Sequence, residues 1–536
     1  MGWNFGDVLD AIEPVLPPDE PALISGDRVV AWAELSRTTN NLARGLIARG
    51  ARPGDKLAIY MRNRPEYLMS LSAAFKARLT HVNVNYRYTP GEVCYILDNS
   101  DANVVVYAEE FRDAVKEIRE ELPKVETWVE VSRDGQIAPF AEAFDAIASE
   151  GEGAPLDIVR SGDDQLFIYT GGTTGMPKGV MWTHQEFRDA RLKSGWRVDT
   201  VAETVQDVAA EIVHNGPGPR ILATPPLMHG TGMVVAMVTM LAGGSVVLLE
   251  GQSLDAQELL RAVDRWRPQT VAIVGDSYAK PILEALAADP RKYDISSITN
   301  VVSAGVMWSM DVKRALLEHM PNATLVDAFS SSEAIGMGAS RMSKGTNVQT
   351  AKFMLGTTCQ VFDEHDRPVE PGSGVPGLVA IGPPTPLGYY KDEVKSAQTF
   401  REIDGVRYTI PGDWCLVEAD GAITLLGRGS GCINTAGEKV FPEEVEEVLK
   451  THSSVDDALV IGLPDDKWGE AVTAVVALRK GAALDEGGLR KHVRQSLAGY
   501  KVPKRILATD LTLRGPNGKP DYTAARSIAE ALTTRP

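Results

Sequence analysis

Leu166-Phe-Ile-Tyr-Thr170-Gly-Gly-Thr-Thr-Gly-Met-Pro-Lys178-Gly-Val180 is the stretch on which the fold of this chain turns. The apolar run 166–169 predicts a strand, and Val180-Met181-Trp182 a strand returning from it. Between them Gly171, Gly172 and Gly175 lack a Cβ, so backbone N–H groups can crowd around an anion. Thr170, Thr173 and Thr174 add hydroxyl donors, and Lys178 adds a flexible positive charge. These are the parts of a phosphate loop. The spacing is not that of a Walker A loop, since no Gly-x4-Gly-Lys-Ser/Thr register fits. A tight hairpin turn is the plainer alternative, but such turns use two to five residues and rarely collect three hydroxyls and a lysine.

The rest of the chain sets limits on that reading. At 536 residues it exceeds what one core usually supports, so two or more domains are expected. A net charge of −17 argues against nucleic acid as the main partner and leaves an anionic substrate dependent on local positive groups. The four cysteines, Cys94, Cys359, Cys415 and Cys432, form no Cys-x-x-Cys pair, which argues against a zinc knuckle or a disulfide framework. No signal peptide, myristoylation pattern or apolar run of transmembrane length is visible, so a cytoplasmic protein is expected.

Helical and strand patterns alternate over most of the chain. Residues 35–50, 114–122, 256–266 and 311–320 read as helices. Residues 56–61, 104–107, 128–131, 221–222, 246–249, 271–274 and 300–303 read as strands. This predicts parallel sheets covered on both faces. From about residue 360 prolines and glycines cluster, which predicts turn-rich antiparallel structure. Gly427-Arg-Gly-Ser-Gly431 frees the backbone, and a compact unit follows: a helix opening at Pro442, strands 458–461 and 472–478, and a helix 489–497. The fold expected is α/β: a large N-terminal domain (1–427) of parallel-sheet subdomains plus a β-rich subdomain, a hinge (428–431), and a small α+β domain (432–536).

Six separate stretches, in order, resemble the motifs of adenylate-forming enzymes, the superfamily of acyl-CoA synthetases, peptide-synthetase adenylation domains and luciferase. Residues 170–179 resemble its Thr-Ser/Gly-Gly-Thr-Thr-Gly-x-Pro-Lys-Gly signature. Asp327-Ala-Phe-Ser-Ser-Ser-Glu333 and Tyr408-Thr-Ile-Pro-Gly-Asp413 are similar to its aromatic-Gly-x-Thr-Glu and Tyr-x-Thr-Gly-Asp stretches. Gly427-Arg428 with Asn434 and Gly437 resembles the hinge motif, and residues 497–503 and 516–519 resemble the two C-terminal ones.

The resemblance implies ATP, Mg²⁺ and CoA as cofactor and cosubstrates, with a carboxylate attacking the α-phosphate. Positioning and electrostatic stabilisation supply most of such catalysis. It implies that the loop with Thr170 and Lys178 holds the departing phosphates, with Glu333 and Thr170 at the metal. Phe329 would stack on adenine opposite Ala304-Gly305-Val306, within a nucleotide lining of Asp327, Ala328, Ser330, Ser331 and Ser332. Asp413 would take the ribose hydroxyls, Arg428 the ribose and phosphates, and Lys519 the transition state. Ser430 would be the hinge residue and Ala436-Gly437-Glu438 the CoA tunnel. Each has a plainer alternative: a solvated Lys519, a turn-forming Asp413, a helix-start Glu333, a core Phe329.

Two departures from the family pattern stand out. Ser330 replaces a glycine, which costs strain if that position needs φ > 0, and Ser430 replaces a charged hinge residue. For the acid, Pro226 to Met233 offers Met228, His229 and Met233 but no carboxylate, which favours an apolar acyl tail over an amino acid. Met307 and Trp308 are further candidate walls, and Asp276 a polar contact. Several stretches, among them Ser303-Ala-Gly-Val-Met-Trp-Ser309, are most similar to bacterial fatty-acid and steroid acyl-CoA synthetases. The expected partners are a small carboxylic acid, ATP and CoA, without nucleic acid, with a homodimer left open. Transfer of the adenylate to a carrier protein, or a non-catalytic binding role, are the alternatives.

Overall fold

The computed structural model describes the chain except residues 1, 171–175, 194–201, 307, 347–351, 429–430, 432, 436–437, 466–468, 516–517 and 534–536. It folds into two compact units: Met1–Thr350 with Gly356–Thr358 and Ile381–Thr409, and Ala351–Leu355 with Cys359–Ala380 and Ile410–Pro536.

The first unit holds two largely parallel sheets. In one, strands Pro21–Ser25, Ser245–Leu248, Arg220–Ala223, Thr270–Ile273, Asn300–Ala304 and Thr324–Phe329 run parallel. Antiparallel strands Arg28–Ala31 and Gly338–Met342 border them. In the other, Gln165–Thr170, Thr80–Asn83, Lys56–Tyr60, Ala102–Ala108 and Thr127–Val131 are parallel neighbours in that order. Lys178–Thr183 and then Gly388–Tyr389 continue this sheet antiparallel beyond Gln165–Thr170. Val104, Val105 and Val106 are all fully buried, as consecutive residues of a strand covered on both faces must be.

The expected alternation of helix and strand is therefore observed, with most ends shifted by a residue or two and some by three or four: the helix expected over 35–50 runs Trp32–Ala48, and that over 114–122 runs Arg112–Ile118. Helix Ala256–Trp266 has the expected bounds: Asp255 caps it by accepting from Gln257 N, and Leu259, Leu260 and Val263 pack inward. The hairpin Gln165–Thr170/Lys178–Thr183 pairs Thr170 with Lys178, so residues 171–177 connect the strands. That is longer than a tight turn needs. Lys178 and Gly179 belong to the returning strand rather than to the loop. Gly179 is required there, because a Cβ would fall 2.7 Å from the Tyr169 ring.

The second unit is antiparallel where prolines and glycines cluster: Asp413–Val417 pairs with Ile423–Arg428 and with Gly377–Ile381. Beyond it, strands Val455–Asp465 and Gly469–Leu478 form a long hairpin, with Arg505–Thr509 parallel to the latter. Helix Pro442–Lys450 starts on proline and buries Val445, Glu446 and Leu449. The buried charge on that face is not visible in the apolar pattern.

Candidate active site

Three of the first-unit residues read from the sequence lie where parallel strands end. Ligands of open α/β sheets bind outside the carboxyl ends of strands, where loops are free to vary. Thr170 ends one strand, Ala304 a second and Phe329 a third. Ala304 and Ala328 are paired neighbours, so the 304–306 and 327–332 segments lie side by side. Gly305 has φ +91, and a Cβ there would meet nothing within 4 Å. The left-handed backbone, not crowding, is what asks for glycine at this position.

Residues 331–336 form turns between strands Thr324–Phe329 and Gly338–Met342, so Glu333 does not open a helix. Ser331 and Ala334 exchange backbone hydrogen bonds of 2.9 and 3.2 Å. Ser330 is absent from the left-handed residues of the chain, so the serine in place of the family glycine costs no backbone strain. Its hydroxyl accepts the Gly336 N–H at 2.9 Å and stiffens the turn. Trp182 on the returning strand donates Nε1–H to the Ser332 carbonyl at 2.8 Å. A Cβ on Gly230 would lie 3.9 Å from Ser332 Oγ, which sets the His229-Gly230 turn beside it.

Two side chains that no sequence rule pointed to tie this region together. The Tyr389 hydroxyl donates to Glu333 Oε1 at 2.9 Å. Three residues on, Asp392 forms an ion pair with Lys178, whose ammonium lies 5.7 Å from the Tyr389 ring centroid. The Lys178 bond, then the Lys395 backbone N–H, hold the Asp392 carboxyl below its usual range. Strand Gly388–Tyr389 pairs with Met181 and Val180, so the segment is fixed to the hairpin it serves. Asn83 is a third residue the sequence did not reveal. Its amide exchanges hydrogen bonds with the Tyr169 backbone and donates to the Met228 carbonyl at 2.7 Å.

The candidate acyl residues divide. Met228 and Met233 are buried, and Met228 Sδ accepts the Tyr86 N–H at 3.3 Å. His229 stands at the start of helix Gly230–Leu241. Asp276 accepts the Ser309 N–H at 3.0 Å and so holds the segment leading into helix Met310–His319. Asp327 is buried and paired at 2.9 Å with Lys313, which is buried as well. Phe329 is buried at its strand end.

In the second unit Asp413 opens its strand, buried and opposite Arg428. Lys519 is exposed on a loop closed by the Arg514–Pro520 bridge and by the Gly515 N–H to Lys519 carbonyl bond of 2.9 Å. Arg514 anchors that loop through a bidentate pair with Asp457, 2.7 and 2.8 Å. Burial opposes the charge on Asp457, and the Arg514 bond and charge outweigh it, holding that carboxyl low. Gly171, Gly172, Thr173, Thr174, Gly175, Met307, Ser430, Ala436 and Gly437 lie outside the described residues, as do the side chains of Arg428 and Glu438.

No group of three or more His, Cys, Asp or Glu side chains fit to hold a metal occurs among the described residues, and no described helix is long and apolar enough to cross a membrane. The AMP-binding enzyme family matches residues 14–390, and the AMP-binding enzyme C-terminal domain matches 444–519. A medium/long-chain-fatty-acid–CoA/3-oxocholest-4-en-26-oate–CoA ligase of Mycobacterium marinum is 39% identical, covering 99% of this chain and 97% of its own. A 3-oxocholest-4-en-26-oate–CoA ligase of Rhodococcus rhodochrous is 40% identical, covering 98% and 96%. In fold the chain is similar to an anthranilate CoA ligase in complex with anthranoyl-AMP, with a TM-score of 0.84 at 24% identity over 99% and 98% of the two chains. The turn that carries Glu333, the hairpin that carries Lys178 and the loop that carries Lys519 thus sit in a protein that belongs to the AMP-binding, adenylate-forming enzyme family.

Proposed function

We propose that this protein is an AMP-forming acyl-CoA ligase acting in the cytoplasm on a medium- or long-chain fatty acid or a steroid side-chain carboxylate. The observation that carries the reading is the joining of Lys178 and Glu333 by one segment, residues 389–392, at the strand ends where the family motifs fall. The ligases named above, similar over nearly the full length, support the substrate class.

In this reading Lys178 binds the phosphates that leave as pyrophosphate, and Asp413 and Arg428 orient the ribose. Phe329 and the 304–306 segment enclose the adenine. Lys519 neutralises charge as the acid's oxygen bonds to the α-phosphorus and the bond to pyrophosphate breaks. Glu333, together with Thr170 of the 170–179 stretch, would hold Mg²⁺. Among the described residues no group of three or more His, Cys, Asp or Glu side chains could hold a metal, which suits an ion that takes most of its oxygens from water and phosphate. The metal would neutralise phosphate charge. The 428–431 hinge then exchanges Lys519 for the 436–438 segment, where CoA thiolate displaces AMP from the acyl carbon.

Pyrophosphate release measured over short, long and steroid acids, with and without CoA, tests this. Release with fatty or steroid acids and thioester formation with CoA is expected. No release with any acid refutes the enzyme, and adenylate never converted to thioester refutes CoA as acceptor. Lys519→Ala should abolish adenylation and spare thioester formation from supplied acyl-AMP.

A further inference from the structure

Lys178 is the one charged residue of the 170–179 stretch, and its ammonium is already engaged by Asp392. The two carboxylate oxygens of Asp392 have separate tasks. Oδ1 accepts the Lys395 N–H at 3.0 Å and caps helix Glu393–Thr399, while Oδ2 takes Lys178. Both side chains keep 31% of their surface exposed, and a cavity of about 270 Å³ lined by Tyr95, Asn99, Met176, Pro177, Lys178 and Asp392 adjoins them. The ammonium thus has room to turn without repacking the core. A single carboxylate carries one negative charge, and a diphosphate carries several, so a polyphosphate outcompetes Asp392 for the same cation.

We propose that Asp392 is an exchange partner for Lys178: it holds the ammonium before nucleotide binds and reclaims it as pyrophosphate departs, which weakens the hold on that product. This rests on the reading above that Lys178 contacts the departing phosphates. It makes Asp392 a positioning residue that acts through Lys178. Tyr389, on the same segment, stays with Glu333, so exchange at Lys178 leaves the neighbouring carboxylate in place.

Calorimetric binding of inorganic pyrophosphate to the full-length chain tests this. Asp392→Asn keeps an acceptor for the helix cap and removes the charge facing Lys178. It should bind pyrophosphate about fivefold tighter, the factor one partly exposed ion pair commands. A purely structural residue would not tighten binding when altered. In a Lys178→Ala background the same change should have no effect. Loss of binding in Lys178→Ala with unaltered or weaker binding in Asp392→Asn overturns the exchange and leaves the phosphate role of Lys178 standing. Wild-type binding in Lys178→Ala overturns that role itself. Asp392→Ser, which also caps helices, repeats the test if the asparagine variant is unstable.

Discussion

Asp457→Asn probes how the chain holds Lys519. Arg514 donates Nε–H and Nη2–H to the two oxygens of Asp457 at 2.7 and 2.8 Å. Asparagine keeps one acceptor and turns the other into an amide that faces the guanidinium donor to donor. One charge-assisted bond is lost, worth about 1.5–3 kcal/mol when desolvated. Side-chain exposures of 22% and 19% place this pair toward the lower end. We take about 2 kcal/mol, roughly a thirtyfold factor in rate if the loop must be in place for adenylation. The bridge from Arg514 to Pro520 carries the disturbance directly to the residue next to Lys519. The assay compares single-turnover pyrophosphate release with thioester formation from supplied acyl-AMP. Adenylation should fall and thioester formation should stay, with the overall fold intact by circular dichroism. Pyrophosphate release at the wild-type rate, or both half-reactions falling together, refutes the reasoning.

Other perturbations read other parts of the molecule. Tyr389→Phe removes the hydroxyl donated to Glu333 and keeps the ring beside Lys178. The Mg²⁺ concentration needed for pyrophosphate release should rise about tenfold, and an unaltered metal titration counts against the assignment. Lys313→Met removes the ammonium paired with the buried Asp327 carboxylate and should destabilise the first unit by about 3–5 kcal/mol in denaturant, where a loss within error would disprove a buried ion pair as its cause. Glu446, buried under helix Pro442–Lys450, has its carboxyl pushed up to about 8 by burial, against 4.5 in the unfolded chain. The folded state binds the proton more tightly, so stability is full below 4.5 and declines as pH rises through about 8. Glu446→Gln should flatten that decline in thermal melts, and parallel curves for the two proteins would exclude Glu446 as its source.

Some of the site was open to reading because local chemistry dictates it. Glycines and threonines between two apolar runs favour a connection over a continuous strand, and residues 171–177 connect two strands that pair Thr170 with Lys178. Helix Ala256–Trp266 has the bounds its apolar spacing predicts, and in the structure Asp255 caps its start and Arg267, at φ 53, ends it. Other features depended on backbone conformation that no residue name reveals. Whether Ser330 was a strained substitute for glycine turned on its φ. The turn at 331–336 resolves it by giving the hydroxyl the Gly336 N–H to bind. Asp327 falls in a motif that the resemblance assigns to the nucleotide, yet the strand's alternation and a helix 14 residues back give it Lys313 as a partner.

Residue order and type alone thus pointed to an alternating α/β chain, a candidate phosphate loop, and the succession of motifs that names its family. Tertiary structure alone decided which groups those motifs meet. Lys178 faces Asp392 across 214 residues of chain, and Asn83 bonds Tyr169 across 86. Sequence periodicity reports only on neighbours within a helix turn or a strand, whereas these contacts arise when distant strands are laid in register and their loops are brought to one edge.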